Sequence, residues 1–164
     1  NVSDQYSYFG FCFSSRLNLN RGTQNLALRA KKALLQVISV IHKVGTLSPN
    51  VFFKIFNTQI QPILLYTSEI WGFRRFDCLE RVQLLACKKY LNVSNSTPTC
   101  MVYGECGRFP LYINSQVRCL KYWLKLLNMH EQRLPKTAYG MLLNLDNIGK
   151  HTLASEIKIG RAHV

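Results

Sequence analysis

The chain has 164 residues, enough for one domain with a real core or one domain plus an appendage. With 48% hydrophobic and 18% charged residues it is globular rather than disordered; no apolar run is long enough for a bilayer, and from Asn1 onward there is no basic-then-apolar signal pattern, so no membrane partner is expected. The 21 Lys and Arg against 8 Asp and Glu give a formal charge of +13, which favours a polyanionic partner through counterion release, although a basic protein without a dedicated nucleic-acid site has the same composition.

Residues 6 to 13, Tyr-Ser-Tyr-Phe-Gly-Phe-Cys-Phe, set Tyr6 and Tyr8 against Phe9, Phe11 and Phe13 and read as an aromatic-rich strand or hairpin. A lone strand is unstable, so its sheet partners are expected upstream, outside this chain. From about residue 22 onward the pattern is helical, which predicts a mainly α fold, a helical bundle preceded by that strand. Thr23 can cap a first helix ending at Gly45, with Ala27, Ala30, Leu34, Val37, Ile41 and Val44 as its apolar stripe. Arg29, Lys32, Gln36, Ser39 and Lys43 line another face of it.

Ser48-Pro49 opens a second helix through Phe52, Phe53, Ile55 and Phe56, and Pro62 should kink or break it before Ile63 to Ile70 continue. Asp77 and Glu80 have capping-box spacing for a third helix reaching about Leu91. The polar run Asn92 to Thr97 is the boundary candidate inside the helical part, and Thr97-Pro98 repeats the cap-then-Pro signal. Residues 110 to 129 form the clearest long helix, with Ile113, Val117, Leu120, Leu124 and Leu127 as expected core face and Arg118, Lys121 and Lys125 beside it. Pro135 starts a last helix that stops near Asn147-Ile148-Gly149.

The cysteines Cys12, Cys78, Cys87, Cys100, Cys106 and Cys119 make no Cys-x-x-Cys pair and no zinc-finger spacing with His, so they read as reduced thiols of an intracellular protein. The aspartates Asp4, Asp77 and Asp146 are dispersed, whereas a polymerase site needs clustered carboxylates for its metal ions. Phosphate-loop, nucleophile-elbow and His-Glu-x-x-His motifs are also absent. No catalytic residue and no metal ligand is assigned, and the chain alone should be inert.

Taken in order, Pro62 with Ile63-Leu64-Leu65-Tyr66-Thr67-Ser68-Glu69-Ile70-Trp71-Gly72, then Asp77-Cys78-Leu79-Glu80-Arg81-Val82-Gln83, then Met101 to Leu111, then Tyr122-Trp123-Leu124-Lys125-Leu126, carry a family likeness. The series resembles the region just downstream of the catalytic domain in reverse transcriptases of LINE-type non-LTR retrotransposons, over about residues 6 to 157. The resemblance implies an end of the palm at 1–21, a thumb-like helical bundle at 22–95 and a post-thumb helical region at 96–158. Tyr8-Phe9-Gly10 looks like the Tyr-Leu-Gly of the family's primer-grip strand, with Phe9 in place of the usual Leu.

What it further implies is a fragment of an RNA-directed DNA polymerase that binds RNA template and DNA primer. The palm and fingers, with their aspartates and Mg²⁺, would lie upstream in the same chain. Target-primed reverse transcription in the nucleus is the family's expectation. Contacts to the duplex are expected from Arg29, Lys32 and Lys43 and from Arg118, Lys121 and Lys125, as phosphate contacts along helix faces; a solvated polar face is the alternative for each stripe.

Lys88-Lys89 and Arg74-Arg75 read as surface, Trp71, Tyr122 and Trp123 as core more than stacking platforms, and Glu69 as a half-buried partner of a basic side chain. Gly104, Gly107 and Arg108 read as a helix-to-helix connection. A stand-alone basic α-helical nucleic-acid-binding or scaffold module is the rival reading, and the product of a decayed element is a third. The ends look cut: Asn1 is not Met, and Ile159-Gly160-Arg161-Ala162-His163-Val164 equals the translation of a common sequencing adapter.

Overall fold

A computed structural model describes residues 5–8, 10–14, 18–45, 47–150, 152 and 154–155. Phe9 of the primer-grip-like stretch and the adapter-like residues 159–164 lie outside the described residues. The fold is mainly α, a set of helices preceded by a two-stranded antiparallel hairpin. Over the described residues it divides into two compact units, Asn1–Tyr66 with Phe76–Leu111 and Thr67–Arg75 with Tyr112–Val164. The polar run 92–97, the boundary expected from composition, lies inside the first unit.

In the first unit, β1 (Gln5–Tyr8) pairs with β2 (Phe11–Ser14), Tyr8 facing Phe11 and Tyr6 facing Phe13. Of the strand or hairpin expected over 6–13, the hairpin is what forms, and β1 finds a partner within the chain. Gly10 supplies the reason: its φ of +81° turns the backbone where a continuing strand would need an extended residue.

α1 (Asn20–Val44) follows and packs against β2. It starts earlier than expected. Asn18 Oδ1 accepts from the Asn20 N–H at 3.0 Å, so an Asx turn two residues upstream opens the helix, and Thr23 turns its hydroxyl back onto the Leu19 and Asn20 carbonyls. Leu26, Ala27, Ala30 and Leu34 are buried as the stripe predicts, but Val37 and Ile41 are only half-buried and Val44 is exposed. Gly22 sits where no side chain fits, since a Cβ there would stand 2.5 Å from the Phe11 ring and 2.8 Å from the Cys12 carbonyl. Only glycine lets the hairpin lie this close to the helix.

α2 (Pro49–Ile55) begins with Pro49 in its first turn, as the cap-then-Pro signal predicts, though the Ser48 side chain makes no capping hydrogen bond. It runs through a π-turn at Phe56–Ile60 into α3 (Gln61–Leu64). The Gln61 N–H reaches back to the Phe56 carbonyl, and the extra residue in that turn accommodates Pro62, which has no N–H to give. Phe56, Ile60, Leu64 and Leu65 all stay buried across the irregularity. The helix does not continue to Ile70 as expected. It ends at Leu65, and Thr67 takes left-handed dihedrals (φ 55°, ψ 19°) before the single turn α4 (Ser68–Trp71).

α5 (Asp77–Leu91) has Phe76, not Asp77, at its N-cap. Glu80 is engaged across the unit, accepting from the Leu111 N–H at 2.9 Å and the Tyr103 hydroxyl at 3.3 Å. The helix closes on Asn92 in the left-handed region, with the Val93 N–H on the Lys88 carbonyl. α6 (Thr99–Glu105) has Pro98 as its N-cap, one position earlier in the helix than the cap-then-Pro reading placed it.

In the second unit, α7 (Leu111–Leu127, all but its first residue) and α8 (Leu134–Asn147) enclose a small core of Leu126, Tyr139 and Ala154, joined by Tyr122, Trp123 and Leu142. α8 ends where predicted, with Gly149 at φ +83°. The α7 expectation is inverted. Leu111, Ser115, Cys119 and Leu126 are the buried positions, while Ile113 is half-buried and Val117, Leu120, Leu124 and Leu127 are exposed. The physical reason lies at Gly72, where a Cβ would collide with the Ser115 carbonyl. That approach brings the Ser115 hydroxyl within 3.1 Å of the Gly72 carbonyl and the Cys119 thiol within 3.0 Å of the Glu69 carbonyl. Small side chains face the close contact, and the larger aliphatic ones are left outside.

Candidate nucleic-acid interface

α1 contains no Asp or Glu along its 25 residues. At roughly 3.6 residues per turn, Arg21, Asn25, Arg29, Lys32, Gln36, Ser39 and Lys43 fall on one side, opposite the buried Ala30–Leu34 side, and every one of them is exposed. At ~1.5 Å per residue, Arg21 to Lys43 spans about 33 Å, close to one turn of a nucleic-acid duplex. His42 and Lys43 also stand in the last turn, where cations complement the helix dipole. Such a row can hold successive phosphates without reading sequence.

Arg21 was missed because the helix was expected to begin at Thr23. Asn18, two residues before Asn20, was the available signal for the earlier start.

Two of the expected contact elements come together. The Arg29 guanidinium donates to the Gly10 carbonyl at 3.4 Å, so the turn of the hairpin and the basic face of α1 adjoin. Tyr6 and Tyr8 lie side by side on the exposed face of β1, 67% and 54% accessible, their rings 6.3 Å apart and 24° from parallel. A cleft of about 340 Å³ next to Arg29 is walled by Leu26, Pro62, Ile63 and Tyr66. A larger open one of about 700 Å³ lies on the flank carrying Ile38, Ile41 and His42, across from Phe52, Lys89 and Tyr90.

The second expected stripe is on α7 in the other unit. Lys121 and Lys125 are exposed, and Arg118 is half-buried.

Several other basic or aromatic residues are structural. Lys88 is buried, and its Nζ donates to the Asn95 carbonyl at 2.6 Å, holding the polar loop; it is not surface as expected. Arg108 lies 5.0 Å from the ring centres of both Phe53 and Phe56 and donates to Asn57 Oδ1 at 2.9 Å. Burial lowers its pKa from the usual arginine value. Gln83, fully buried, donates to the Phe109 carbonyl at 2.8 Å.

The same interior raises the Tyr103 hydroxyl, chiefly by burial and then by the charge of Glu80. Burial pushes the Cys87 thiol up to about 12, with Cys106 adding to the shift, and raises the Cys106 thiol as well. Neutral thiols and a neutral phenol make poor nucleophiles, so this cluster is a packing node. Trp71 is buried with its indole N–H on Thr67 Oγ1, and the Trp123 indole donates to the Tyr139 hydroxyl at 2.9 Å. Glu69 is half-buried, but a basic partner for it is not found among the described residues. Arg74 and Arg75 are exposed, Arg75 5.5 Å over the Tyr112 ring.

Among the described residues no group of three or more His, Cys, Asp or Glu could hold a metal ion, and no helix is long and apolar enough to cross a membrane. Comparison of the chain with protein-family models, curated proteins and solved structures finds no match.

Proposed function

We propose that the chain is the thumb-side part of an RNA-directed DNA polymerase of the non-LTR retrotransposon type, and that it grips the RNA template and DNA primer through phosphate contacts. The ordered motif series from Pro62 to Leu126 supports the polymerase origin. The acid-free exposed face of α1, from Arg21 to Lys43, is the observation that carries duplex binding. The hairpin turn at Gly10, bonded to Arg29, fits a primer-end support beside that face. Carboxylates able to hold Mg²⁺ would come from a palm preceding Asn1, so this chain contributes binding and positioning only.

The test is an RNA–DNA duplex titrated with the chain at increasing salt, alongside the variant Arg29→Gln, Lys32→Gln, Lys43→Gln. About 10-fold weaker binding and a shallower salt dependence are expected, the log–log slope falling by up to ~0.9 for each phosphate no longer neutralised. Unchanged affinity would make the stripe a plain solvated face. Joined to a palm carrying the catalytic aspartates, the same variant should shorten primer extension.

One observation favours a second reading, a stand-alone basic binding module: β1 pairs with β2 within the chain. Under that reading the duplex titration behaves alike, but the joined protein shows no dependence of extension length on α1.

A further inference from the structure

We infer that Tyr6 and Tyr8 form a stacking site for the unpaired bases of a single-stranded extension. The site deepens the reading above, and rests on it for the duplex that the extension leaves. Directly opposite residues of an antiparallel pair share a face, so the register puts Tyr8 with Phe11, and Tyr6 with Phe13, on one side of the hairpin. Phe11 is buried against Gly22 of α1, whereas Tyr6 and Tyr8 on the neighbouring strand stay 67% and 54% exposed. β2 therefore rests on the helix, and β1 carries two open aromatic rings beside it.

Charge and spacing name the occupant. β1, β2 and α1 contain no Asp or Glu. The Arg29 guanidinium donates to the Gly10 carbonyl, two residues along from Tyr8, and Arg21 and Lys32 stand exposed on the same helix face. Cations beside open aromatic faces are the two parts of a single-strand site, one following the phosphates and the other taking the bases. An acidic peptide would answer the cations and leave the rings unused; an apolar partner would do the reverse. The ring centres are 6.3 Å apart, whereas neighbouring bases in a duplex are ~3.4 Å apart and hide their faces in the stack. A strand must be unpaired and extended to set one base against each ring.

The full chain is to be titrated with an RNA–DNA duplex carrying about six single-stranded DNA nucleotides at its 5′ or its 3′ end, and with the same duplexes whose extensions are abasic. Ordinary and abasic extensions have identical phosphates, so the ratio of their affinities reads the bases alone. For at least one end the ordinary extension is expected to bind at least ~10-fold more tightly. Tyr6→Ala with Tyr8→Ala should bring that ratio to about 1, and Tyr6→Phe with Tyr8→Phe should keep it, because the ring stacks and not the hydroxyl. Arg29→Gln, Lys32→Gln, Lys43→Gln should weaken the binding of both extensions alike and leave the ratio standing. Both tyrosines are exposed, and far-UV circular dichroism checks that each variant remains folded.

A ratio near ~1 at both ends with duplex binding intact would overturn the proposal and leave the phosphate row of α1 in place. A ratio that survives in the alanine pair would overturn it too, by placing the stacking elsewhere. Failure to bind a blunt duplex would instead remove the reading above. An ordinary single-stranded oligonucleotide set against its abasic counterpart then decides the tyrosines on their own, and equal binding of the two, or binding of neither, would overturn the site.

Discussion

α1 and α7 are both basic amphipathic helices without a single acidic residue, yet sequence periodicity locates the core of one and misplaces that of the other. In α1 the row that packs is the one periodicity picks out, through its small and branched residues Ala27, Ala30 and Leu34. α7 is apolar on two sides. The hydrophobic weight sits in Val117, Leu120, Leu124 and Leu127, but the side that packs carries Ser115 and Cys119, where backbone approaches backbone at Gly72. Hydrophobicity ranks faces by transfer free energy; close approach selects them by size.

The largest effect that bears on this contrast is a pair of truncations within α7. Leu126→Ala, at a position 3% exposed, should cost about 3 kcal/mol of unfolding free energy in urea, while Leu124→Ala should cost under ~0.5 kcal/mol. The reverse ranking would restore the heptad row as core. Gly22→Ala sets the corresponding experiment in α1. Its added methyl meets the Phe11 ring and the Cys12 carbonyl, so a loss of about 2 kcal/mol is expected. A neutral outcome would mean the hairpin does not rest on the helix.

The fold class, the end of α1 at Gly45, Pro49 in the first turn of α2 and the stop of α8 were all legible, because each is written in a local signal. What was not legible depended on partners distant in sequence. Asp77 and Glu80 have the spacing of a capping box, but Glu80 serves Tyr103 and the Leu111 N–H, 23 and 31 residues away. Lys88 reads as half of a surface pair until the Asn95 carbonyl claims it. At the candidate site, the stripe Arg29, Lys32 and Lys43 was visible at helical spacing. The hydrogen bond from Arg29 to Gly10 was not, since nothing local links a guanidinium to a turn 19 residues earlier. Strand or hairpin was legible in the aromatic alternation of residues 6 to 13, and Gly10, which interrupts it, marks the turn.

A smaller effect separates the interior of the first unit from its exposed face by pH. Burial holds the Cys87 thiol at about 12 against an ordinary 9.0, so the folded state keeps the proton that the unfolded state releases first. The stabilisation is therefore complete below about pH 9 and is lost as pH rises towards 12, with a slope approaching ~1.4 kcal/mol per pH unit for one such group. The raised Tyr103 hydroxyl acts in the same direction. Cys87→Ala should flatten the alkaline limb of a stability–pH curve, and an unaltered limb would place the sensitivity elsewhere. The duplex-binding variant of α1 should leave the curve unchanged, because its three side chains are exposed.

The smallest expected change is a gain. Ser68 is fully buried at the start of α4, directly after the left-handed Thr67, and its hydroxyl has no hydrogen-bond partner among the described residues. Its backbone is well used: the Ser68 carbonyl accepts from the Gly72 N–H at 2.7 Å. An orphaned buried hydroxyl costs its desolvation with nothing returned, so removing it while keeping the backbone intact should stabilise the protein by about 1 kcal/mol. Ser68→Ala does this without adding volume to the contact between Gly72 and Ser115. A lower urea midpoint for Ser68→Ala would mean that the hydroxyl has a partner after all. The tight packing that turns α7 inside out would then rest on a hydrogen bond as well as on the size of its side chains.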